Sequence, residues 1–332
     1  MRSFLTKNSK RSLVAILSGW ALTVTVGSAL AQTGYPNRAV TFVVSTTPGS
    51  SVDITGRVFS RVLSETWEQP VVVENRGGAN GQLAVSRVAT AAPDGYTLLV
   101  TTMTTLSTNP YLYPKSGTLA LTGLTPVTRL VNLSFVLSVN PQSKVKSVPE
   151  FLSYVRERPN SFNIATSGAG GGPYLVAVLL RHATNTKFGI VPHRGGGDAV
   201  GTVLTGNADG LIDTHMLTSP LTDTGKLVPL ATTGSKRSMF TPDLPTLKEL
   251  GIEGCEVSGA IVVMAPKDTP SEVLEKLAVD FRRAGGQPSV RKLLTDIMAE
   301  PILNSPSELM REWIEERAMW ESLIKTTGMD AP

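Results

Sequence analysis

The chain is 332 residues long and carries 31 Lys and Arg against 27 Asp and Glu. Four of the basic residues and none of the acidic ones fall within residues 1–31, so the rest carries 27 of each sign and gives no reason to expect nucleic acid or an anionic membrane surface as partner. One cysteine excludes an intrachain disulfide, and three scattered histidines (His182, His193, His215) leave no stretch with zinc-site spacing, so neither metal nor cofactor is expected.

Arg2, Lys7, Lys10 and Arg11 precede an acid-free, mostly apolar run over 13–27, and Ala29-Leu30-Ala31 follows. A basic n-region, a short apolar run and a small-residue site predict a secretory signal cut after Ala31. The run is too short, and too interrupted by Ser18, Gly19, Thr23 and Thr25, for an ordinary membrane span.

Beyond the leader, short β-rich runs alternate with helical patterns, the signature of an α/β architecture. Strands are expected at 40–45, 70–74 and 96–101, with helices at 52–66 and at 80–91, the second behind an Asn80 cap. Two strand-like runs are expected within 122–140. A second series places strands at 161–166, 189–192, 210–213 and 228–232 and helices at 173–183 and 198–205, the latter capped by Asp198. A last strand is expected at 257–265. Ser147-Val148-Pro149-Glu150, Thr269-Pro270-Ser271-Glu272 and Ser305-Pro306-Ser307-Glu308 each read as a hydroxyl cap with Glu three residues on. The final helix offers Leu309, Trp313, Trp320 and Ile324 at helical spacing, a stripe that suits core packing.

Three loops that follow strands share a composition rich in hydroxyls and glycine and poor in charge. They are Thr46-Thr47-Pro48-Gly49-Ser50-Ser51, Thr101-Thr102-Met103-Thr104-Thr105 and Thr166-Ser167-Gly168-Ala169-Gly170-Gly171-Gly172. In open α/β sheets, ligands sit beyond the carboxyl ends of the strands. Neutral donors there can hold a carboxylate through several hydrogen bonds without an unpaired buried charge. Pro173 takes the place of the third glycine in a G-x-G-x-x-G begun at Gly168, and no Walker Lys follows, so a nucleotide reading fails in detail. His193-Arg194-Gly195-Gly196-Gly197 leaves another strand, with Arg194 read mainly as solvated. Asp213 either accepts a ligand N–H or caps the next helix. Asn75 to Gly81 reads as a loop that needs positive φ, structural rather than binding.

Tyr35-Pro36-Asn37-Arg38, the V-V-x(3)-P-G-x-S-x-D stretch ending at Asp53, Gln69 to Arg76, Ala92 to Leu98, Asn109-Pro110-Tyr111-Leu112-Tyr113, Val191-Pro192 with Gly195, Leu244-Pro245-Thr246, Ala265-Pro266 and Trp320 follow one another along the chain. In this ordered set the chain resembles the Bordetella-uptake-gene (Bug) receptors, the extracytoplasmic substrate-binding proteins of tripartite tricarboxylate transporters. The resemblance implies a type II periplasmic-binding-protein fold: two doubly wound α/β lobes, 32–131 and 132–256, with 257–332 crossing back to pack on the first, around one central cleft. It also implies the site: Thr47, Gly49, Ser50 and Asp53, then Thr102, Met103 and Thr104, then Ser167, Gly168 and Gly170, joined by His193, Gly195 and Asp213. Similar receptors usually carry Pro-Phe-Pro-Pro-Gly-Gly where this chain has Ser45 to Ser50, a His near Pro173-Tyr174 and a Tyr at His193. Tyr174 either stacks on a planar acid or packs under its loop.

The function expected from the resemblance is that of a monomeric periplasmic receptor. It captures a small carboxylate (a dicarboxylate, an acidic amino acid or an aromatic acid) without a chemical step and presents it to the membrane permease subunits of a tripartite transporter. The rivals are a sensor or scavenger of the same fold and an exported hydrolase using Ser167 or Ser50 with a histidine.

Overall fold

The computed structural model describes residues 34–114 and 117–327; the leader expected over 1–31 lies outside them. Strands β1 (Val40–Val44), β2 (Val71–Asn75) and β3 (Thr97–Thr102) are joined by helices α1 (Ser51–Trp67) and α2 (Gln82–Ala89). β1 lies parallel to both of the others, the arrangement that helical crossovers permit. Helices α3 (Met103–Leu112) and α4 (Leu119–Thr122) then lead into β4 (Leu124–Val139). The second series is α5 (Val148–Glu157), β5 (Asn163–Ser167), α6 (Gly172–Thr184), β6 (Gly189–His193), α7 (Gly196–Leu204), β7 (Gly210–Thr214), α8 (His215–Thr222) and β8 (Val228–Thr232). The chain ends with β9 (Ser258–Pro266), α9 (Ser271–Gly286), α10 (Pro288–Asp296), β10 (Glu300–Pro301) and α11 (Pro306–Thr327).

β4 is where the two series meet. From Leu124 to Ser134 it pairs antiparallel with β9, which itself borders β3. From Phe135 to Val139 its partner becomes β7, with β8 on the other edge from Val136. β5 continues the sheet in parallel with β7 and β6. Two parallel sets, β2-β1-β3 and β7-β5-β6, are thus tied through one 16-residue strand.

Each set has its own core. Leu99, Leu106, Val262 and Trp313 pack on the first side, and Phe135, Phe151, Phe162 and Phe188 on the second. Helix α11 serves both: Leu309 and Trp313 join the first cluster, and Trp320 is fully buried in the second. The aromatic stripe read from the sequence is therefore packing, as its spacing suggested. Among the described residues no helix is long and apolar enough to cross a membrane.

Four local expectations need correction. The two runs within 122–140 form one continuous strand, because a residue can change partner without breaking the extended backbone. The second helix starts at Gln82 rather than behind Asn80, whose left-handed φ of 47° belongs to a preceding short 3₁₀ turn. Asp198 lies inside the first turn of α7, whose cap is Gly195. Thr269 does not cap α9: its hydroxyl donates to the Pro266 carbonyl instead, 2.7 Å away, and the helix begins after Pro270. The Ser305 box forms, with Ser305 and Glu308 exchanging both bonds. Ser147 caps its helix by accepting the Glu150 N–H, but the Glu150 carboxylate reaches one residue further back, to the Lys146 N–H.

Candidate functional site

A cavity of about 80 Å³ lies where β4 changes partner. A water needs about 10–15 Å³ of such space, so the cavity suits one compact small molecule. Its floor is Leu133 and Phe135 of β4 and Gly259 and Ile261 of β9. Each pair is two residues apart and so shares one face of its strand.

Around this floor, five helices begin. Strands β1, β3, β5, β6 and β7 each run directly into a helix, and the N-caps Ser50, Thr102, Gly171, Gly195 and Thr214 all reach the wall. A helix start carries N–H groups with no intrahelical acceptor and the positive end of the dipole. α1 and α3 cap themselves: Ser50 Oγ accepts the Asp53 N–H at 3.3 Å, and Thr102 Oγ1 the Thr105 N–H at 3.2 Å. α6, α7 and α8 have no side-chain cap. At α6 and α7 the first residues, Gly172 and Gly196, line the cavity, where an anion can complete these helix starts.

The turn between β1 and α1 is organised by Asp53. Its buried carboxylate accepts the Gly49 N–H at 2.9 Å, Asn75 Nδ2 at 2.8 Å and Arg57 Nε at 3.0 Å. Burial alone would raise this carboxyl, but Arg57, the Gly49 N–H and Asn75 outweigh it and hold it below its ordinary value. Asp53 and the Gly49 amide are therefore engaged with each other and not with the cavity. Thr46 Oγ1 and Ser50 Oγ, 2.5 Å apart, face it instead.

The two sides touch around the rim. A Cβ on Gly195 would overlap Thr47 Oγ1, so the backbone of α7 rests directly on the β1–α1 turn. Thr108 Oγ1, which donates to the Thr104 carbonyl at 2.8 Å, lies 3.4 Å from the Gly170 carbonyl, and Tyr113 Oη donates to the Ala169 carbonyl at 3.4 Å. Asn80 projects into the same space from consecutive left-handed residues, Ala79 and Asn80, both at φ 47°. Its Nδ2 donates to Asn109 Oδ1 at 2.7 Å, and Asn109 Nδ2 returns a bond to the Asn80 carbonyl at 3.0 Å.

Two charged groups complete the wall. Arg194 lines the cavity, stays exposed and makes no ion pair among the described residues. Asp213, at the end of β7, is only 1% exposed. Its Oδ1 accepts the Thr214 N–H at 2.7 Å, while Oδ2 has no hydrogen-bond partner. Burial pushes this carboxyl up to about 6, with the Thr214 N–H and the nearby Ser167 and Thr214 hydroxyls offsetting part of the rise. Neither hydroxyl meets hydrogen-bond geometry to Oδ2.

Of the residues expected from sequence, Ser50, Thr102, Thr104, Ser167, Gly168, Gly195 and Asp213 share this one cavity. Thr47, Gly49, Asp53, Met103 and Gly170 stand behind or beside it as supports, outside its wall. Tyr174 packs against the second core rather than lining the cavity. The His193 side chain also lies outside the wall, and its carbonyl accepts the Gly168 N–H at 2.9 Å. Asn80, Thr105, Gly196, Thr214, Leu217 and the four floor residues are among the lining residues the reading missed, and it placed Arg194 in solvent. The floor was signalled only by period-2 spacing on strands whose pairing the sequence does not reveal.

A cleft ringed by backbone dipoles, between two parallel sheets joined by a shared strand, is the frame of a periplasmic-binding-protein-type solute receptor. The family model for the tripartite tricarboxylate transporter family receptor matches residues 55–329, and the chain belongs to that family. Among curated relatives, the UPF0065 protein of the tcbD-tcbE intergenic region of Pseudomonas sp. strain P51 is 32% identical over 95% of both chains. BugT of Bordetella pertussis is 29% identical over 95% of this chain and 97% of that one. Among solved structures, R. palustris Rpa4515 with adipate superposes with a TM-score of 0.85 at 33% identity, covering 89% of this chain and 99% of that one. MatC from Rhodopseudomonas palustris with bound malate gives 0.81 at 32% identity, covering 87% and 100%.

Proposed function

We propose that this protein is a periplasmic receptor that captures one small carboxylate in the cavity between its two sheets and releases it unchanged to the membrane subunits of a tripartite transporter. The observation that carries this reading is the convergence of five helix N-caps on a single enclosed space, three of them without a side-chain cap. Such donors favour an anion while keeping the site nearly free of buried charge. The adipate and malate bound by two relatives of the same fold support the ligand class. The two sides act as lobes, 32–131 and 132–256, that close on the ligand as a monomer. Differential affinity for the closed form drives the closure.

The test is calorimetric titration of the purified protein with linear dicarboxylates, acidic amino acids and aromatic acids, alongside esterase and peptidase assays. Saturable one-to-one binding of an acid that is recovered intact supports the receptor. Turnover of an ester or amide, or binding of none of these acids, overturns it.

A further inference from the structure

Apart from Arg194, the wall of the cavity is built from apolar groups, backbone amides and side chains that can either donate or accept, and one group on it can only accept when ionised. Asp213 Oδ2 is a buried carboxylate oxygen, part of a side chain 1% exposed on the cavity wall, and it has no partner. Its sister atom is held by the Thr214 N–H at 2.7 Å, so the carboxylate cannot turn away without losing that bond. Gly196 stands beside it with a bare Cα: a Cβ there would come within 3.1 Å of Oδ2 and collide with Leu217 Cδ1, so any larger residue at this position would crowd the oxygen. A buried acceptor left unmade is costly, and a carboxylate oxygen more so than a neutral one. A plain dicarboxylate brings only further acceptors, which would face this oxygen with like charge.

We propose that Asp213 Oδ2 receives a hydrogen-bond donor carried by the ligand, so that this receptor selects acids bearing a hydroxyl or ammonium group over the unsubstituted acid of the same length. The inference rests on the carboxylate-receptor reading and sharpens it. The ligand's carboxylate meets the uncapped amides of α6 and α7, with Arg194 at the edge, while the donor meets Asp213. One end of the site thus reads negative charge and the other reads a donor. That division gives discrimination that hydroxyls, which can turn to donate or to accept, do not give. An analogue without the donor leaves the buried oxygen unpaired, and such losses exceed those from a missing methylene. A hydrogen bond to a charged group corresponds to on the order of 10- to 100-fold in affinity.

The experiment uses matched sets at three lengths: succinate with malate and aspartate, glutarate with 2-hydroxyglutarate and glutamate, adipate with 2-hydroxyadipate and 2-aminoadipate. Calorimetry on the purified protein should give, at the length that fits, a dissociation constant at least about 10-fold lower for a donor-bearing acid than for the plain one. In Asp213→Asn, which keeps the acceptor for Thr214, an ammonium-bearing ligand should lose its whole advantage. A hydroxyl should keep part of it, because it can rotate to accept from the new amide. Native mass spectrometry of protein as purified gives a second readout: any retained acid should carry a hydroxyl or amine. Equal or tighter binding of the plain acid overturns the inference while the receptor reading stands, as does an unchanged ratio in Asp213→Asn. Failure of every acid to bind overturns both.

Discussion

Gly195 rests on Thr47 so closely that the Thr47 hydroxyl occupies the place a Cβ on Gly195 would take. The first residue caps α7 and the second belongs to the β1–α1 turn, so this contact seals one side of the cavity to the other. The backbone at Gly195 is extended, with φ −167°, and any residue can adopt it. Glycine is therefore demanded here by the approach and not by the dihedral. Gly195→Ala should fold normally yet hold the two sides apart, weakening acid binding by roughly 10-fold or more, since a closure wedge removes the ligand's contacts with one side. Adding Thr47→Ala, which deletes the obstructing hydroxyl, should recover part of the loss. Calorimetry reads the affinities, and small-angle scattering reads the more open shape of the single variant. Equal affinity in Gly195→Ala would show that the contact does not matter to closure.

Asp53 sits one layer back and holds the turn that Thr47 belongs to. Replacing it with Ala removes the acceptor of the Gly49 N–H, Asn75 and Arg57 together, and should destabilise the protein by about 2–4 kcal/mol. The pH dependence has a definite sign. The folded pKa lies below the ordinary 3.8, so the stabilisation is present above that value and is lost as pH falls through the folded one. Urea denaturation should therefore show a large gap between wild type and Asp53→Ala at pH 7 and a smaller one near pH 3. A gap independent of pH would assign the loss to packing alone.

Much of this arrangement was written in local pattern. Hydroxyl- and glycine-rich loops after strands, the Ser147 cap, the Ser305 box and the Leu309-Trp313-Trp320 stripe depend on neighbours in sequence, and they appear where the pattern put them. What stayed hidden depends on contacts between distant segments. Leu133 and Gly259 meet in one floor only because β4 and β9 pair across more than a hundred residues. Gly49 and Asp53 lie in the right motif but satisfy each other, a bond that composition does not disclose. Arg194 reads as a solvated loop cation and remains exposed, yet the fold of α7 brings it to the cavity edge.

Asn80 separates two contributions that usually travel together. It occupies the left-handed region at φ 47°, where glycine is easier, and its side chain bonds Asn109 at the cavity wall. Asn80→Gly should leave stability within about 1 kcal/mol of wild type, because relief of the backbone offsets the lost side-chain bond. Asn80→Ala keeps the strain and loses the bond, and should cost about 1–2 kcal/mol. If the amide serves the ligand, both variants should weaken binding to the same degree despite their different stabilities. Thermal denaturation and calorimetry on the pair decide this; affinities that track stability instead would make Asn80 a purely structural residue.

Asp213 predicts the opposite pH behaviour to Asp53. Its carboxyl is raised from 3.8 to about 6 by burial, so the native state holds its proton more tightly than the unfolded chain. The favourable contribution is complete below about pH 4 and disappears as pH rises through 6. Integrated over that interval it amounts to at most about 3 kcal/mol. Asn imitates the protonated acid at every pH, so the stability of Asp213→Asn relative to wild type should climb between pH 4 and pH 7.5, with the two closest at the acid end. Differences between the two proteins cancel the remaining carboxylates, which titrate alike in both. A ligand that donates to Oδ2 should stabilise the ionised form and narrow the climb in the wild type when added at saturation. Denaturation midpoints for both proteins, with and without the tightest-binding acid, read this directly; a flat difference across the interval would mean that Asp213 is solvated and ionised throughout.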